Sequence, residues 1–227
     1  LDHYATVFSD AQHMIGNTLL YCVLAAGLDV LIGTAIAWLI LRTALPARRW
    51  LDSLASIARA GGGVGLAIGY LRLFKGVNIP FTDSPVVTSW VLIMLAYAVR
   101  RLPYALRACM AALQQVHISL EEAAQSLGAT RWRTVRRVMV PLMAGGILAG
   151  FVTSFITAAV ELSATILLTS AESQAPMSYG IYLYMQSVSG RGPGAALGVL
   201  AVVVVGLGTL ASHRSADRSR TPEKASS

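Results

Sequence analysis

The sequence predicts an all-α integral membrane protein, and three observations lead to this prediction. The chain of 227 residues is 55% hydrophobic and 13% charged, whereas soluble domains carry about 25% charged residues. Its apolar residues fall into runs of about 20 or more, the length that a helix needs to cross a bilayer. The basic residues that give the net charge of +7 lie between these runs. This placement is typical of membrane topology and does not indicate a nucleic-acid partner.

Five apolar runs predict five membrane-spanning helices, because a backbone in lipid must satisfy its hydrogen bonds internally. The first run contains Asp29 as its only charge, and the fourth contains only Glu161. The third run continues past Arg100 and Arg101. The runs cover 15–41, 54–74, 86–113, 142–168 and 195–212.

The distribution of basic residues predicts the orientation of the chain. Arginines are frequent after the first run, between the third and fourth runs, and in the polar tail, whereas the alternate loops offer little beyond Lys75 and Arg191. This asymmetry places the N-terminus outside and the C-terminus in the cytoplasm. We expect an external lead-in over 1–14, a transmembrane domain over 15–212 and a disordered cytoplasmic tail over 213–227. No signal peptide is visible, so we also expect an earlier helix to precede residue 1.

The segment 119–141 predicts two short helices at the cytoplasmic face. Ser119 and Glu122 have the spacing of a capping box, which predicts a helix start at Ser119. Leu120, Ala123, Ala124 and Leu127 then repeat with helical periodicity, so they form one apolar face. Gly128 is placed to end this helix with a left-handed residue. Thr130 can cap a second helix that carries four arginines, and Pro141 opens the next span.

The first helix can dock in a groove of a partner protein or lie on membrane lipid. The segment resembles the EAA loop of binding-protein-dependent type I ABC importer permeases. In that family the pattern is EAA, three residues, Gly, nine residues, then I-x-L-P. Here it reads Glu122-Ala123-Ala124, Gly128 and Val138-Met139-Val140-Pro141, with valine at both aliphatic positions.

This resemblance covers essentially the whole chain and implies the fold of such a permease, with five of its six core helices present. It implies a multi-pass protein of the bacterial inner membrane, with a cytoplasmic ATP-binding subunit, a second permease domain (fused or separate) and a periplasmic substrate-binding protein as partners. The loop would be the coupling helix that contacts the ATPase. The implied coupling residues are Leu120, Glu122, Ala123, Ala124, Leu127 and Gly128.

The chain itself is not expected to be an enzyme or to hold a cofactor. A P-loop needs Gly-Lys followed by Ser or Thr, and the two lysines, Lys75 and Lys224, follow Phe74 and Glu223. ATP and Mg are therefore expected on the partner ATPase. Cysteines and histidines lack metal-ligand spacing, so we expect no fixed metal site either.

Two further stretches bear on the solute. The residues 100–104 (RRLPY) and 161–165 (ELSAT) resemble iron(III) importer permeases, which makes iron(III) the leading substrate. Permeases for 2-aminoethylphosphonate and thiamine have similar stretches and supply the alternatives. Where the resemblance implies a Pro-Gly break in the second span, this chain has glycine at all three positions of 61–63. Three glycines also weaken a helix, by about 1 kcal/mol each relative to alanine.

Carboxylates within the spans are candidates for the translocation path, because a charge in lipid is costly and usually faces protein or water. Glu161 is the leading candidate, and Asp29 is the second. The alternative for Glu161 is a structural pair with a backbone amide, Arg59 or Arg72. A different class of function also stays open at this point. An ATP-independent secondary transporter would need no partner at 119–128.

Overall fold

The computed structural model describes residues 2–43, 62–78, 85–186, 188 and 190–218. This part of the chain is helical, apart from turns, loops and an isolated bridge between Asn78 and Pro85. The predicted all-α class is therefore confirmed. The helices are α1 (Asp2–Asp10), α2 (Gln12–Arg42), α3 (Gly63–Leu73), α4 (Trp90–Gln115), α5 (Ile118–Ser126), α6 (Arg131–Thr134), α7 (Val140–Leu142), α8 (Ala144–Ala159), α9 (Thr165–Leu168), α10 (Met177–Met185) and α11 (Arg191–Arg218). A π-helical turn, Val135–Met139, joins α6 to α7.

Helices α2, α4 and α8 form the centre of the molecule. Ala25 of α2, Tyr97 of α4 and Ala158 of α8 are buried in one apolar cluster. Small residues allow the helix backbones to approach closely, as is common where helices pack inside a membrane. At Gly33 of α2, an added Cβ would lie 3.1 Å from the backbone nitrogen of Leu106 in α4. The glycine thus sets the spacing of these two helices.

Two smaller clusters complete the packing at either side of this centre. One joins α1, α10 and α11 through Val7, Met177 and Leu197. The other buries Leu113 near the end of α4 against Met139 of the π-helical turn, and also contains Ala37, Leu106, Cys109, Val116 and Met143. The second cluster packs the end of α4 against the π-helical turn, and α5 and α6 lie between these two elements in the chain.

Three of the predicted spans have counterparts among long apolar helices of the described residues. Gln12–Arg42 and Arg191–Leu210 are long and apolar enough to cross a membrane, and α6–α7 with α8 would form a third span bent by 70°. The predicted third span is the continuous helix α4, which includes Arg100, Arg101 and Pro103. Of the predicted second span, residues 54–61 lie outside the described residues, and the remainder forms α3.

The fourth predicted span, 142–168, is wrong as a single helix. Helix α8 ends at Ala159, and a non-helical stretch over 160–164 precedes α9. The interruption is stable because side chains satisfy the freed backbone. The hydroxyls of Thr165 and Ser178 donate hydrogen bonds to the carbonyl oxygen of Glu161, at 2.6 and 2.9 Å.

Two domain boundaries also need correction. Helix α1 occupies most of the lead-in, and α2 begins at Gln12 rather than at residue 15. At the other end, α11 continues to Arg218, so residues 213–218 are helical although a disordered tail was predicted. Residues 219–227 lie outside the described residues.

Candidate functional site

Helix α5 forms at the predicted place but begins one residue earlier than predicted. Its N-cap is His117, whose Nδ1 accepts a hydrogen bond from the backbone amide of Ser119 at 3.3 Å. The Ser119 hydroxyl lies 2.8 Å from the same ring nitrogen. The predicted Ser119 cap is therefore wrong: the imidazole takes the capping position, and Ser119 lies within the first turn.

The end of α5 is as predicted. Gly128 has φ = +84°, which is left-handed backbone that favours glycine. The amide of Gly128 donates to the carbonyl of Gln125 at 2.9 Å, and the amide of Ala129 donates to that of Ala124 at 3.0 Å. These two bonds constitute a Schellman motif, so the last carbonyls of α5 are satisfied without an external partner.

The described residues leave the apolar face of α5 uncovered. Leu127 is 90% exposed and Leu120 is 46% exposed. Among the other predicted coupling residues, Glu122, Ala123 and Gly128 are exposed and Ala124 is half-buried. The one buried residue of α5 is Glu121, which is charged. The helix therefore presents its apolar residues outward and a carboxylate inward, the reverse of an ordinary surface helix.

A buried ion pair holds α5, and sequence reasoning missed it. Arg42 is the last residue of α2, and its Nε donates to Glu121 Oε1 at 2.5 Å. Its Nη2 donates to the carbonyl oxygens of Val116 at 2.7 Å and Leu113 at 3.4 Å. In the sequence, Arg42 served only to orient the chain. No local pattern connects it to Glu121, which lies 79 positions along the chain.

Beyond Gly128, the chain turns into α6 as predicted. The Thr130 hydroxyl accepts a hydrogen bond from the amide of Arg133 at 3.4 Å and caps α6. Trp132 and the four arginines at 131, 133, 136 and 137 are exposed. The predicted start of the next span at Pro141 needs correction, because Pro141 lies within the short helix α7 and the path bends before α8 begins at Ala144.

A second site surrounds Glu161, which lies in the stretch 160–164 and is 5% exposed. One carboxylate oxygen accepts a hydrogen bond from Arg100 Nη1 at 2.6 Å, and the other accepts from Arg101 Nη2. Of the arginines expected as partners, Arg72 is exposed and Arg59 lies outside the described residues. The backbone amide of Ala164 also donates to Glu161 Oε1, at 3.4 Å. The structural alternative for Glu161 is thus favoured, with a backbone amide as one partner and with different arginines from those expected.

The described part of the glycine stretch packs against this charge cluster. A Cβ added to Gly63 would lie 2.5 Å from Arg100 Nη1 and 2.7 Å from Ser163 Cβ. Glycine at this position therefore allows the first turn of α3 to approach the arginine and the stretch 160–164. The sequence indicated a weak helix here, whereas the structure indicates a close contact. Gly61 lies outside the described residues.

Asp29 lies in the contact between α2 and α8. It is 1% exposed, and one of its carboxylate oxygens accepts a hydrogen bond from the Ser154 hydroxyl. The other oxygen, Oδ1, has no hydrogen-bond partner among the described residues. Burial within one chain favours a structural role for Asp29 and for Glu161. Across the described ranges, no three His, Cys, Asp or Glu side chains converge to hold a metal ion.

Known proteins are similar to this chain over most of its length. The family model described as "Binding-protein-dependent transport system inner membrane component" matches residues 29–221. The molybdenum transport system permease protein ModB of Escherichia coli is 31% identical over an alignment of 204 residues that covers 83% of this chain and 86% of ModB. The putative ferric transport system permease protein FbpB 1 of Haemophilus influenzae is 29% identical over 187 residues, or 80% of this chain. The chain spans only 28% of the length of that ferric relative.

Solved structures with this fold are found at lower sequence identity. The methionine ABC transporter MetNI, in an inward-facing conformation, matches with a TM-score of 0.71 at 17% identity, over 90% of this chain and 94% of its own. A bacterial alginate ABC transporter, in complex with an alginate pentasaccharide-bound periplasmic protein, matches with a TM-score of 0.73 at 21% identity. That match covers 97% of this chain and 84% of the other chain. At these identities the likeness is one of fold.

Proposed function

The chain belongs to the family of binding-protein-dependent transport system inner membrane components, and from this premise we propose that it is the transmembrane subunit of an ATP-driven importer with α5 as its coupling helix. The resemblance to type I ABC importer permeases is confirmed by the family match and by the fold. The observation that carries the coupling assignment is the uncovered apolar face of α5. A nine-residue helix that exposes Leu120 and Leu127 and ends in a complete Schellman motif is a preformed element for a groove on a partner.

The partner that fits this helix is a separate ATPase subunit, which would hold ATP and Mg. The coupling contacts would be Leu120, Glu122, Ala123, Ala124, Leu127 and Gly128. A second permease domain would enclose the solute path together with this chain, and a periplasmic protein would deliver the solute. The alginate transporter whose fold this chain shares is in complex with such a periplasmic protein. Membrane lipid would surround the exposed apolar residues of α2 and α11.

For the orientation, we propose a cytoplasmic C-terminus in a bacterial inner membrane. The exposed arginines of 131–137 and the basic end of α11 support this orientation, because basic residues concentrate on the cytoplasmic side. In that orientation α5 and α6 lie at the cytoplasmic surface, where an ATPase is accessible.

For the solute, iron(III) is the leading proposal, supported by the ferric permeases among the relatives and by the stretches 100–104 and 161–165. An oxyanion is the second candidate, because the permeases named for molybdenum and sulfate match at 30–31% identity. The 2-aminoethylphosphonate and thiamine permeases suggested by the same stretches stay alternatives. The path roles of Asp29 and Glu161 stay predictions, which their burial disfavours.

The test compares two aspartate substitutions at adjacent exposed positions of α5. We expect Leu127→Asp to abolish copurification of the ATPase, because it puts a charge on the apolar face. Ser126→Asp introduces the same charge next to that face, so we expect it to leave copurification unchanged. Equal behaviour of the two variants would contradict docking through the apolar face.

The same preparation tests the rival class of function. Proteoliposomes that contain the chain, the ATPase and the binding protein should take up solute only with ATP. Solute uptake by the chain alone, without nucleotide, would support the ATP-independent secondary transporter instead.

A further inference from the structure

Helix α5 follows α4 after a connection of two residues and contacts α6 and the π-helical turn. Glu121 is its only buried residue. A pocket of about 200 Å³ lies beside the helix, so apolar side chains of the described residues do not fill the space between α5, the end of α2 and the π-helical turn. Its lining includes Trp38 at the end of α2, Ile118 and Gln125 of α5, and Met139 of the π-helical turn.

Arg42, at the end of α2, is the partner of Glu121 and also bonds to the end of α4. Its guanidinium bonds to Glu121 of α5 and to the carbonyl oxygens of Leu113 and Val116 at the end of α4. Carbonyls at a helix C-terminus lack intrahelical partners and carry the negative end of the helix dipole. A guanidinium can serve all three acceptors at once because its donors form a rigid, planar fork.

Because of the position of Arg42, its contact with Glu121 can transmit movement to a long helix. Arg42 is the last residue of α2, a 31-residue apolar helix long enough to cross the membrane. A displacement of α5 therefore acts on the end of α2 through the Arg42 guanidinium, which also bonds to the end of α4. The pair is largely shielded from water, with 14% of the Arg42 side chain and 10% of the Glu121 side chain exposed. Salt and solvent screen such a pair less than a surface pair.

We propose that Arg42 and Glu121 are positioning residues for coupling: they transmit movement of α5 to α2 and α4, separately from the surface that binds the ATPase. This inference rests on the proposed function, because it takes α5 as the coupling helix. It adds an internal connection to the external contacts. Neither residue belongs to the exposed apolar face.

The experiment uses the whole importer, with ATPase and loaded binding protein, in liposomes. The variants are Glu121→Gln and Arg42→Lys; the lysine keeps the charge but has no planar fork to serve three acceptors. We expect both to keep ATPase copurification and basal hydrolysis. Stimulation of hydrolysis by the loaded binding protein should fall about 5-fold or more, the lower end of typical coupling between sites. Arg72→Gln is the matched control, since Arg72 is an exposed arginine in the last turn of α3, and should leave stimulation unchanged.

The outcomes separate this inference from the proposed function. Wild-type stimulation in both variants would overturn the positioning role. Loss of copurification in parallel with stimulation would also overturn it, because the pair would then only support the docking surface. If the unsubstituted chain does not bind the ATPase, the proposed function itself fails.

Discussion

Substituting Gly128 tests whether the shape of the α5 terminus matters for coupling. Its φ of +84° lies in the left-handed region, and a Cβ added there would meet no atom within 4 Å. The cost of a side chain is therefore conformational rather than steric. For an L-residue that cost is about 1–2 kcal/mol, and it is higher for a β-branched one.

The magnitude of this cost is large for so short an element. A helix of nine residues is marginal without tertiary contacts, and about 1.4 kcal/mol changes an equilibrium tenfold. We therefore expect Gly128→Val to open the Schellman motif and to weaken ATPase binding about tenfold or more. Gly128→Asn should have a smaller effect, because asparagine tolerates left-handed backbone better than other residues.

Gly76 provides a matched control within the same chain. It has φ = +80° and the same open surroundings, but it lies in the turn after α3. Gly76→Val should cause similar local strain without any effect on ATPase binding. The assay is copurification of the ATPase, followed by hydrolysis in liposomes with the binding protein present. Wild-type binding by Gly128→Val, or equal losses in both variants, would refute the reasoning.

Three further predictions concern the charges buried among the spans. Glu161→Ala leaves two arginines without their partner and should destabilise the protein by about 3–5 kcal/mol. Glu161→Gln keeps a hydrogen-bond acceptor and should destabilise it less. Thermal unfolding in detergent measures both variants, and wild-type stability of the alanine variant would contradict the pairing. Gly63→Ala should destabilise the protein by about 1–3 kcal/mol, because the added Cβ would lie 2.5 Å from Arg100 Nη1. The control is Gly65→Ala in the same helix, whose Cβ would meet open space, so this variant should be neutral or stabilising. Asp29→Asn should retain both stability and solute uptake, and loss of uptake at unchanged stability would instead assign the Asp29 charge to the translocation path.

Local sequence signals were sufficient to predict α5 and its end. The apolar positions from Leu120 to Leu127 and the following Gly128 lie within nine residues, so the pattern needs no distant partner to form. The start differs because two residues can cap different amides: Ser119 would accept from the amide of Glu122, whereas His117 accepts from the amide of Ser119. The spacing favoured a serine cap, but the ring of His117 reaches the amide of Ser119 from one position before the helix.

The stretch 160–164 could not be predicted, because what stabilises it is distant in sequence. Its composition is close to that of the neighbouring helix, so an apolar window continues through it. The side chains that hold it are Ser178, 17 positions away, and Arg100 and Arg101, about 60 positions away. This distance in sequence also explains why Arg72, and not Arg100 or Arg101, was expected as a partner of Glu161. A carboxylate in an apolar run indicates that a partner exists, but not which arginine reaches it.

Helix α4 relates the two sites to each other. Its end is bonded to Arg42, and its middle holds Glu161 through Arg100 and Arg101. Leu113 follows Arg101 by 12 positions, which corresponds to about 18 Å along a helix. Pro103 lies between the two contacts and lacks an amide hydrogen, so α4 lacks one backbone hydrogen bond between them.

Helices α5 and α6 therefore connect to the stretch 160–164 by two routes. One runs from Glu121 through Arg42 to α4 and along α4 to Glu161. The other follows the chain from α6 through the 70° bend into α8, which ends at Ala159 immediately before the stretch. A non-helical stretch between two apolar helices has few intrahelical bonds to break, so it is the place where displacement from both routes is most easily absorbed. Rearrangement of 160–164 should consequently accompany movement of α5, and the Arg100–Glu161–Arg101 cluster sets how much force that rearrangement requires.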